Sequence, residues 1–180
     1  MNTDPGQHQA TLDRKEWEAV YEEYGKRIYR FAVGLLRDRT KAEDVLQETF
    51  LRAYCQSFAE AKGRAVQYRW LATTAYHLVI DEIRVSKRMH FLPDESEDFC
   101  ANQPLAPCSD PLIVREIQRA LSFLDPEDRA LLLLRFAEGL DYSEIASILN
   151  VCEGTLRSRS SRLCLELRKT LSVWHAGGEI

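Results

Sequence analysis

Apolar residues recur at three- and four-residue steps along most of this chain, and no segment sustains the alternating pattern of a half-buried strand. Trp17, Val20, Tyr21, Tyr24, Ile28, Phe31 and Leu35 fall on one helical face, which predicts a first helix over Asp13 to Arg37. Asp13 stands where a cap belongs, with Glu16 three residues on. Asp38 to Thr40 read as a turn, with Thr40 capping a second helix. Along that helix Ala42, Val45, Leu46, Thr49, Phe50, Ala53 and Tyr54 form an apolar stripe, and Glu43, Asp44, Gln47, Glu48 and Arg52 occupy the other side. Periodicity alone leaves that polar side as either a solvated face or a docking surface. A third helix, about Val66 to Arg88, is apolar around much of its circumference and is expected to pack on more than one side. Its one polar stripe is Thr73, His77, Asp81, Arg84 and Arg88.

Periodicity then stops. Met89 to Pro111 carries four of the six prolines and five acidic residues, with no Lys or Arg, and reads as an extended linker. It resumes at Leu112 and continues to about Trp174. The chain is therefore expected to be all-α: a helical domain over 10–90, an acidic, proline-containing linker over 91–111, and a second helical domain over 112–175.

Within the second domain, Asp141-Tyr-Ser-Glu144 fits a capping box opening a short helix, Ser143 to Leu149. Asn150 ends it, at a turn that needs a residue tolerant of positive φ. Ala146 permits close helix approach, and Ile145, Leu149, Val151 and Leu156 supply contacts that fix the crossing. A following helix beginning near Glu153 presents Thr155, Arg157, Ser158, Arg159, Ser161 and Arg162 from its first turns. This is a helix-turn-helix pattern, and its exposed residues suit duplex DNA: Arg reaches guanine edges, while Ser and Thr reach phosphates or bases. Glu153 is placed either to cap that helix or to accept from a cytosine amine.

Charge distribution changes the picture more than net charge does. The net charge is −4. Yet Lys62 to Arg88 holds six basic residues against two acidic ones, and Glu153 to Lys169 holds five against two. Two cationic patches flanking an acidic spacer fit two grips on a polyanion, and equally fit solvated helix faces. The five cysteines (Cys55, Cys100, Cys108, Cys152, Cys164) are scattered without a C-x-x-C pair, which predicts reduced thiols and no metal site. No phosphate loop, nucleophile motif or paired-carboxylate pocket is present, so neither enzymatic activity nor a cofactor is expected. No apolar run is long enough to span a bilayer, and Met1 to Ala10 lacks a signal-peptide core; a cytoplasmic protein with no membrane insertion is expected.

Two stretches carry a family resemblance. Leu124-Asp-Pro-Glu-Asp-Arg129, Leu134-Arg135, Glu138-Gly-Leu140, Tyr142-Ser-Glu-Ile-Ala146 and Glu153-Gly-Thr-Leu-Arg-Ser-Arg159 resemble region 4 of sigma factors of the extracytoplasmic-function (ECF) class, in the sigma-70 family. Ala42-Glu-Asp-Val-Leu-Gln-Glu-Thr-Phe-Leu-Arg-Ala-Tyr54, with Trp70-Leu71, Ile80-Asp-Glu-Ile-Arg84 and Lys87-Arg88, resembles region 2 of the same class. The two come in the family's order and together span most of residues 15–170. The resemblance implies a transcription initiation factor that binds RNA polymerase core. Asp44, Gln47, Glu48 and Arg52 would dock on the clamp helices of the largest subunit. Lys62, Arg64, Arg69, Trp70, Thr73 and His77 would hold the melted minus-ten strand, for which cations and aromatics are the physical requirement. Glu153, Thr155, Arg157, Ser158, Arg159, Ser161 and Arg162 would read the duplex minus-thirty-five element, with the second domain on the flap of the second subunit. The acidic linker would follow the RNA path, and an anti-sigma factor is an implied partner. The alternative is a sigma-like adaptor or decoy that binds polymerase or an anti-sigma factor without initiating transcription. The sequence departs from the family pattern at Thr73, Tyr76 and His77, at Cys152 before the recognition helix, and at Ser160, where an apolar residue is usual.

Overall fold

The computed structural model describes residues 14–55, 64–89 and 111–176, and every regular element among them is helical. The elements are α1 (Arg14–Leu36), α2 (Arg39–Cys55), α3 (Arg64–Met89), α4 (Pro111–Ser122), α5 (Pro126–Leu132), α6 (Tyr142–Leu149) and α7 (Glu153–Ala176). A wider π-turn, Leu133–Ala137, continues α5. Most of the expected linker, Cys100 and Cys108 included, lies outside the described residues.

The α1–α2 corner differs from the sequence reading. Arg37 sits in the left-handed region at φ 58° and its N–H bonds the Val33 carbonyl at 2.9 Å, which closes the C-terminus of α1. Asp38, not Thr40, caps α2: its Oδ1 accepts from the Lys41 N–H at 3.1 Å. A carboxylate one residue before the helix meets the positive dipole end as well as an orphan donor, so Asp38 is the better cap. Along α2, Ala42, Val45, Thr49 and Ala53 are buried as expected. The buried Thr49 hydroxyl is satisfied by the Val45 carbonyl at 2.7 Å. Tyr54, expected in the apolar stripe, is 62% exposed and rests its ring 5.6 Å from that of Trp17.

Helix α3 buries Tyr68, Leu71, Ala72, Ala75, Tyr76 and Val79 along one face, with Leu78, Ile80 and Ile83 partly buried beside it, narrower than the sequence pattern suggests. It packs on α1 and α2 on one side and on α6 on another. Consequently Tyr24, Ile28, Phe31 and Leu35 of α1 and Leu71 and Val79 of α3 join Leu131, Leu134, Ile145, Ile148 and Leu156 in one continuous apolar core. Each such large side chain contributes about 1.5–3 kcal/mol on leaving water. The N-terminal and C-terminal halves thus share a core.

Polar groups fasten the same boundary. Arg129, only 8% exposed, donates from Nη1 to the Leu35 carbonyl (2.8 Å) at the end of α1. Its other donors reach the carbonyls of Leu121 (2.9 Å), Ser122 (3.1 Å) and Leu124 (2.9 Å), at and just beyond the end of α4. One guanidinium therefore serves the negative dipole ends of two helices. Burial, and then the nearby Arg37 charge, hold its pKa below the usual arginine range.

Candidate nucleic-acid interface

The helix-turn-helix is built as its residues suggest. Asp141 and Glu144 form the capping box, the Asp141 N–H donating to Glu144 Oε2 at 2.9 Å, and α6 starts at Tyr142. Asn150 adopts φ 54°, ψ 46°, the left-handed conformation the turn requires. Replacing it by alanine, which lacks the short polar side chain that tolerates this region, is expected to cost about 1 kcal/mol in urea unfolding. Glycine at the same position should cost little. Equal stability of the alanine and glycine variants would refute this account of the turn.

From there α7 buries Leu156, Ser160 and Leu163 toward α5 and α6. Ser160 is only 2% exposed, so the small polar residue stands in a packed position. The outer face presents Thr155, Arg157, Ser158, Ser161 and Arg162, all exposed. The Ser158 hydroxyl donates to the Gly154 carbonyl (2.9 Å) and that of Ser161 to the Arg157 carbonyl (3.0 Å).

Two of the three arginines singled out by the sequence, Arg157 and Arg159, are held differently. Arg157 pairs with Glu153 one turn earlier, its Nε at 3.1 Å, and its guanidinium lies 5.1 Å from the Tyr142 ring centroid. Hydrogen bonding to Glu153, and then that residue's charge, raise the Arg157 pKa further. The pair is solvent-exposed, which leaves Arg157 free to exchange Glu153 for another acceptor. Glu153 is thus a partner of Arg157 as well as the first residue of α7. Arg159 turns inward: its Nε is 2.9 Å from Asp128 and its Nη1 3.5 Å from Glu127, both on α5.

On α3, Arg69 and His77 are exposed and Trp70 and Thr73 half-buried. The Thr73 hydroxyl donates to the Arg69 carbonyl at 2.8 Å, and the His77 ring lies 5.8 Å from that of Tyr76. Arg64 is the first residue of α3, and Lys62 lies outside the described residues. On α2, Asp44, Gln47 and Arg52 are exposed and Glu48 is half-buried, bonded to Arg52 Nε at 2.7 Å. Leu51, absent from the sequence-derived set, is 57% exposed beside them, an apolar centre in a polar face. Among the described residues, the three groups occupy three different helices.

Residues 20–89 match the family model for sigma-70 region 2, and residues 114–167 match that for sigma-70 region 4. The ECF RNA polymerase sigma factor SigL of Mycobacterium tuberculosis is 31% identical over 161 residues, covering 85% of this chain and 87% of the relative. The chain belongs to the ECF sigma factors. SigX of Bacillus subtilis is 29% identical, covering 87% of this chain and 84% of the relative. SigE of Mycolicibacterium smegmatis is 33% identical over 87% of this chain, which spans 62% of that longer protein. Among solved structures, the sigma factor RpoE from Bartonella quintana, in complex with the anti-sigma factor NepR, matches with a TM-score of 0.73 and 25% identity, over 88% of this chain and 98% of that one. CnrH, in complex with the cytosolic domain of CnrY, shares the fold with a TM-score of 0.65 and 18% identity, over 92% of this chain and 94% of that one. As an ECF sigma factor, the chain is a transcription initiation factor that acts with RNA polymerase core at promoters. Among the described residues, no helix is long and apolar enough to cross a membrane.

Proposed function

We propose that this sigma factor works through three separate surfaces in the cytoplasm, without enzymatic activity or a cofactor. Thr155, Arg157, Ser158, Ser161 and Arg162 of α7, with Glu153 orienting Arg157, read the minus-thirty-five duplex. Arg69, Trp70, Thr73 and His77 of α3, with Lys62 and Arg64, hold the opened minus-ten strand. Asp44, Gln47, Glu48 and Arg52 of α2, around the exposed Leu51, dock on the polymerase clamp, and the C-terminal half meets the flap. The observation that carries this reading is the solvent-facing Thr155–Arg162 surface of α7 on a well-formed helix-turn-helix, in the same chain as a region 2 match. Arg159 belongs to this set as a positioning residue, because its bonds run to α5.

The working units are taken as 10–90 and 112–175 with a linker over 91–111, and an anti-sigma factor is the expected inhibitor. Run-off transcription with purified core and promoters from the same genome tests the reading. The wild-type chain should direct specific initiation, and Asp44→Ala should weaken core binding while leaving thermal stability unchanged. Core binding without initiation at any promoter would favour the adaptor reading, and no core binding at all would overturn the initiation reading and leave only an adaptor for an anti-sigma factor.

A further inference from the structure

The wider turn after α5, Leu133–Ala137, is closed by the Glu138 N–H on the Leu133 carbonyl and by the Leu140 N–H on the Leu134 carbonyl, both at 3.0 Å. Gly139 then reverses the chain at φ 71°, a conformation that a side chain would strain. The reversal brings Arg135 against the residues that open α6. Its Nη1 donates to the Leu140 carbonyl at 2.9 Å and lies 3.9 Å from Asp141 Oδ1. Its guanidinium carbon is 5.0 Å from the centroid of the Tyr142 ring. Tyr142 is the first residue of α6, fixed there by the Asp141–Glu144 capping box, half-buried and packed against the core.

The same ring lies 5.1 Å from the Arg157 guanidinium carbon. Two cations of unlike standing therefore share it, both within the range of a cation–π attraction. Arg135 is half-buried and tied to the main chain, whereas Arg157 is exposed. Arg157 has a second hold on Glu153, the first residue of α7. That contact, one turn earlier on its own helix, draws the guanidinium toward the N-terminal turn, the end that a recognition helix presents to base edges. By itself it leaves the fork free to swing across α7. The Tyr142 ring, carried by a different helix, restrains this second direction. Neither contact contributes much to folding, since the Arg157 charge is open to solvent. Their effect is to limit where a long, rotamer-rich side chain points. Bidentate reading of a base needs two donors of the fork aligned together, so restricted direction becomes discrimination between base pairs.

We propose that Tyr142 is a specificity-positioning residue: its ring, anchored by Arg135 and by the start of α6, aims Arg157 at one base pair of the minus-thirty-five element. The proposal rests on the promoter-binding reading given above. Its test measures binding of holoenzyme to a panel of single-position promoter variants, with urea unfolding of each protein. The proteins are the wild type, Tyr142→Phe, Tyr142→Leu, Arg157→Ala and Tyr142→Leu/Arg157→Ala. Tyr142→Leu should lower discrimination about fivefold at the base pair that Arg157→Ala identifies, and leave the other positions unchanged. Tyr142→Phe keeps the ring and should match the wild type. In the Arg157→Ala background, Tyr142→Leu should have no further effect, because the side chain to be aimed is gone. Where Tyr142→Leu does not fold, Tyr142→Met asks the same question with an adaptable chain and no ring. Equal loss at every position and in both backgrounds would overturn the proposal, since a purely structural Tyr142 behaves that way. Uniform loss for Tyr142→Phe would also overturn it, marking the hydroxyl as a phosphate contact. Position-specific loss for Arg157→Ala with unaltered discrimination for Tyr142→Leu would overturn the positioning role alone. Uniform loss for Arg157→Ala would instead overturn the base-reading role of Arg157 on which the proposal stands.

Discussion

Arg129→Ala is expected to destabilise the folded chain by about 3–5 kcal/mol, read as a lower urea midpoint with little change in slope. The magnitude follows from what the guanidinium does. It is buried, makes four hydrogen bonds to main-chain carbonyls, and lies where the α1 and α4 ends meet. Truncation leaves the buried Leu35 carbonyl and the part-buried Ser122 and Leu124 carbonyls without this donor, while Leu121 keeps the Leu124 N–H, and it also removes the packed aliphatic stem. Arg129→Lys should recover less than half of the loss, since one ammonium cannot reproduce a planar fork aimed at four acceptors. A loss below about 1 kcal/mol for the alanine variant would show that water or rearranged backbone replaces the guanidinium readily, and that this junction is not held by it.

The second large effect concerns α7, where two neighbouring arginines should behave differently. Arg157→Ala is expected to lower promoter affinity by about 1–3 kcal/mol, with the loss confined to one base pair of the minus-thirty-five element. Its side chain is exposed, pre-oriented by Glu153 and the Tyr142 ring, and loses only a solvent-screened ion pair when it turns to DNA. Arg159→Ala should weaken binding evenly across promoter variants and reduce folding stability by about 1 kcal/mol, because Arg159 ties α7 to Asp128 and Glu127. The measurement is binding of holoenzyme to a panel of single-position promoter variants, paired with urea unfolding of each protein. Position-specific loss for Arg159→Ala and uniform loss for Arg157→Ala would reverse these roles.

Local chemistry was legible from the residues wherever neighbours in sequence create it. The α6 capping box, the left-handed Asn150 and the start of α7 at Glu153 all depend on contacts within a few positions, and each forms as its residues require. The same holds for Val20, Tyr24, Ile28, Phe31 and Leu35 of the α1 stripe and for the apolar face of α3, whereas Tyr21, expected in that stripe, is 51% exposed. Where two local signals competed, position relative to the chain's bend decided. Asp38 took the α2 cap from Thr40 because Arg37 turns left-handed immediately before it. Tyr54 left the apolar stripe because it stands about 100° around the helix from Ala53, which is buried in the same turn.

The sequence by itself determined an all-helical chain with two family regions in order, a helix-turn-helix near its C-terminus and most of the residues exposed on the outer face of its last helix. Only the tertiary structure decided that Arg159 faces α5, that Leu51 centres the α2 face, and that Arg27, Tyr68, Arg129 and Glu138 bind the halves together. Periodicity reports which side of a helix is apolar, because that follows from 3.6 residues per turn. It carries no information about which distant surface meets that side. Arg27 and Glu138 are 111 positions apart, and nothing local to either encodes the other's place. Their meeting is set by the packing of α3 against both halves at once.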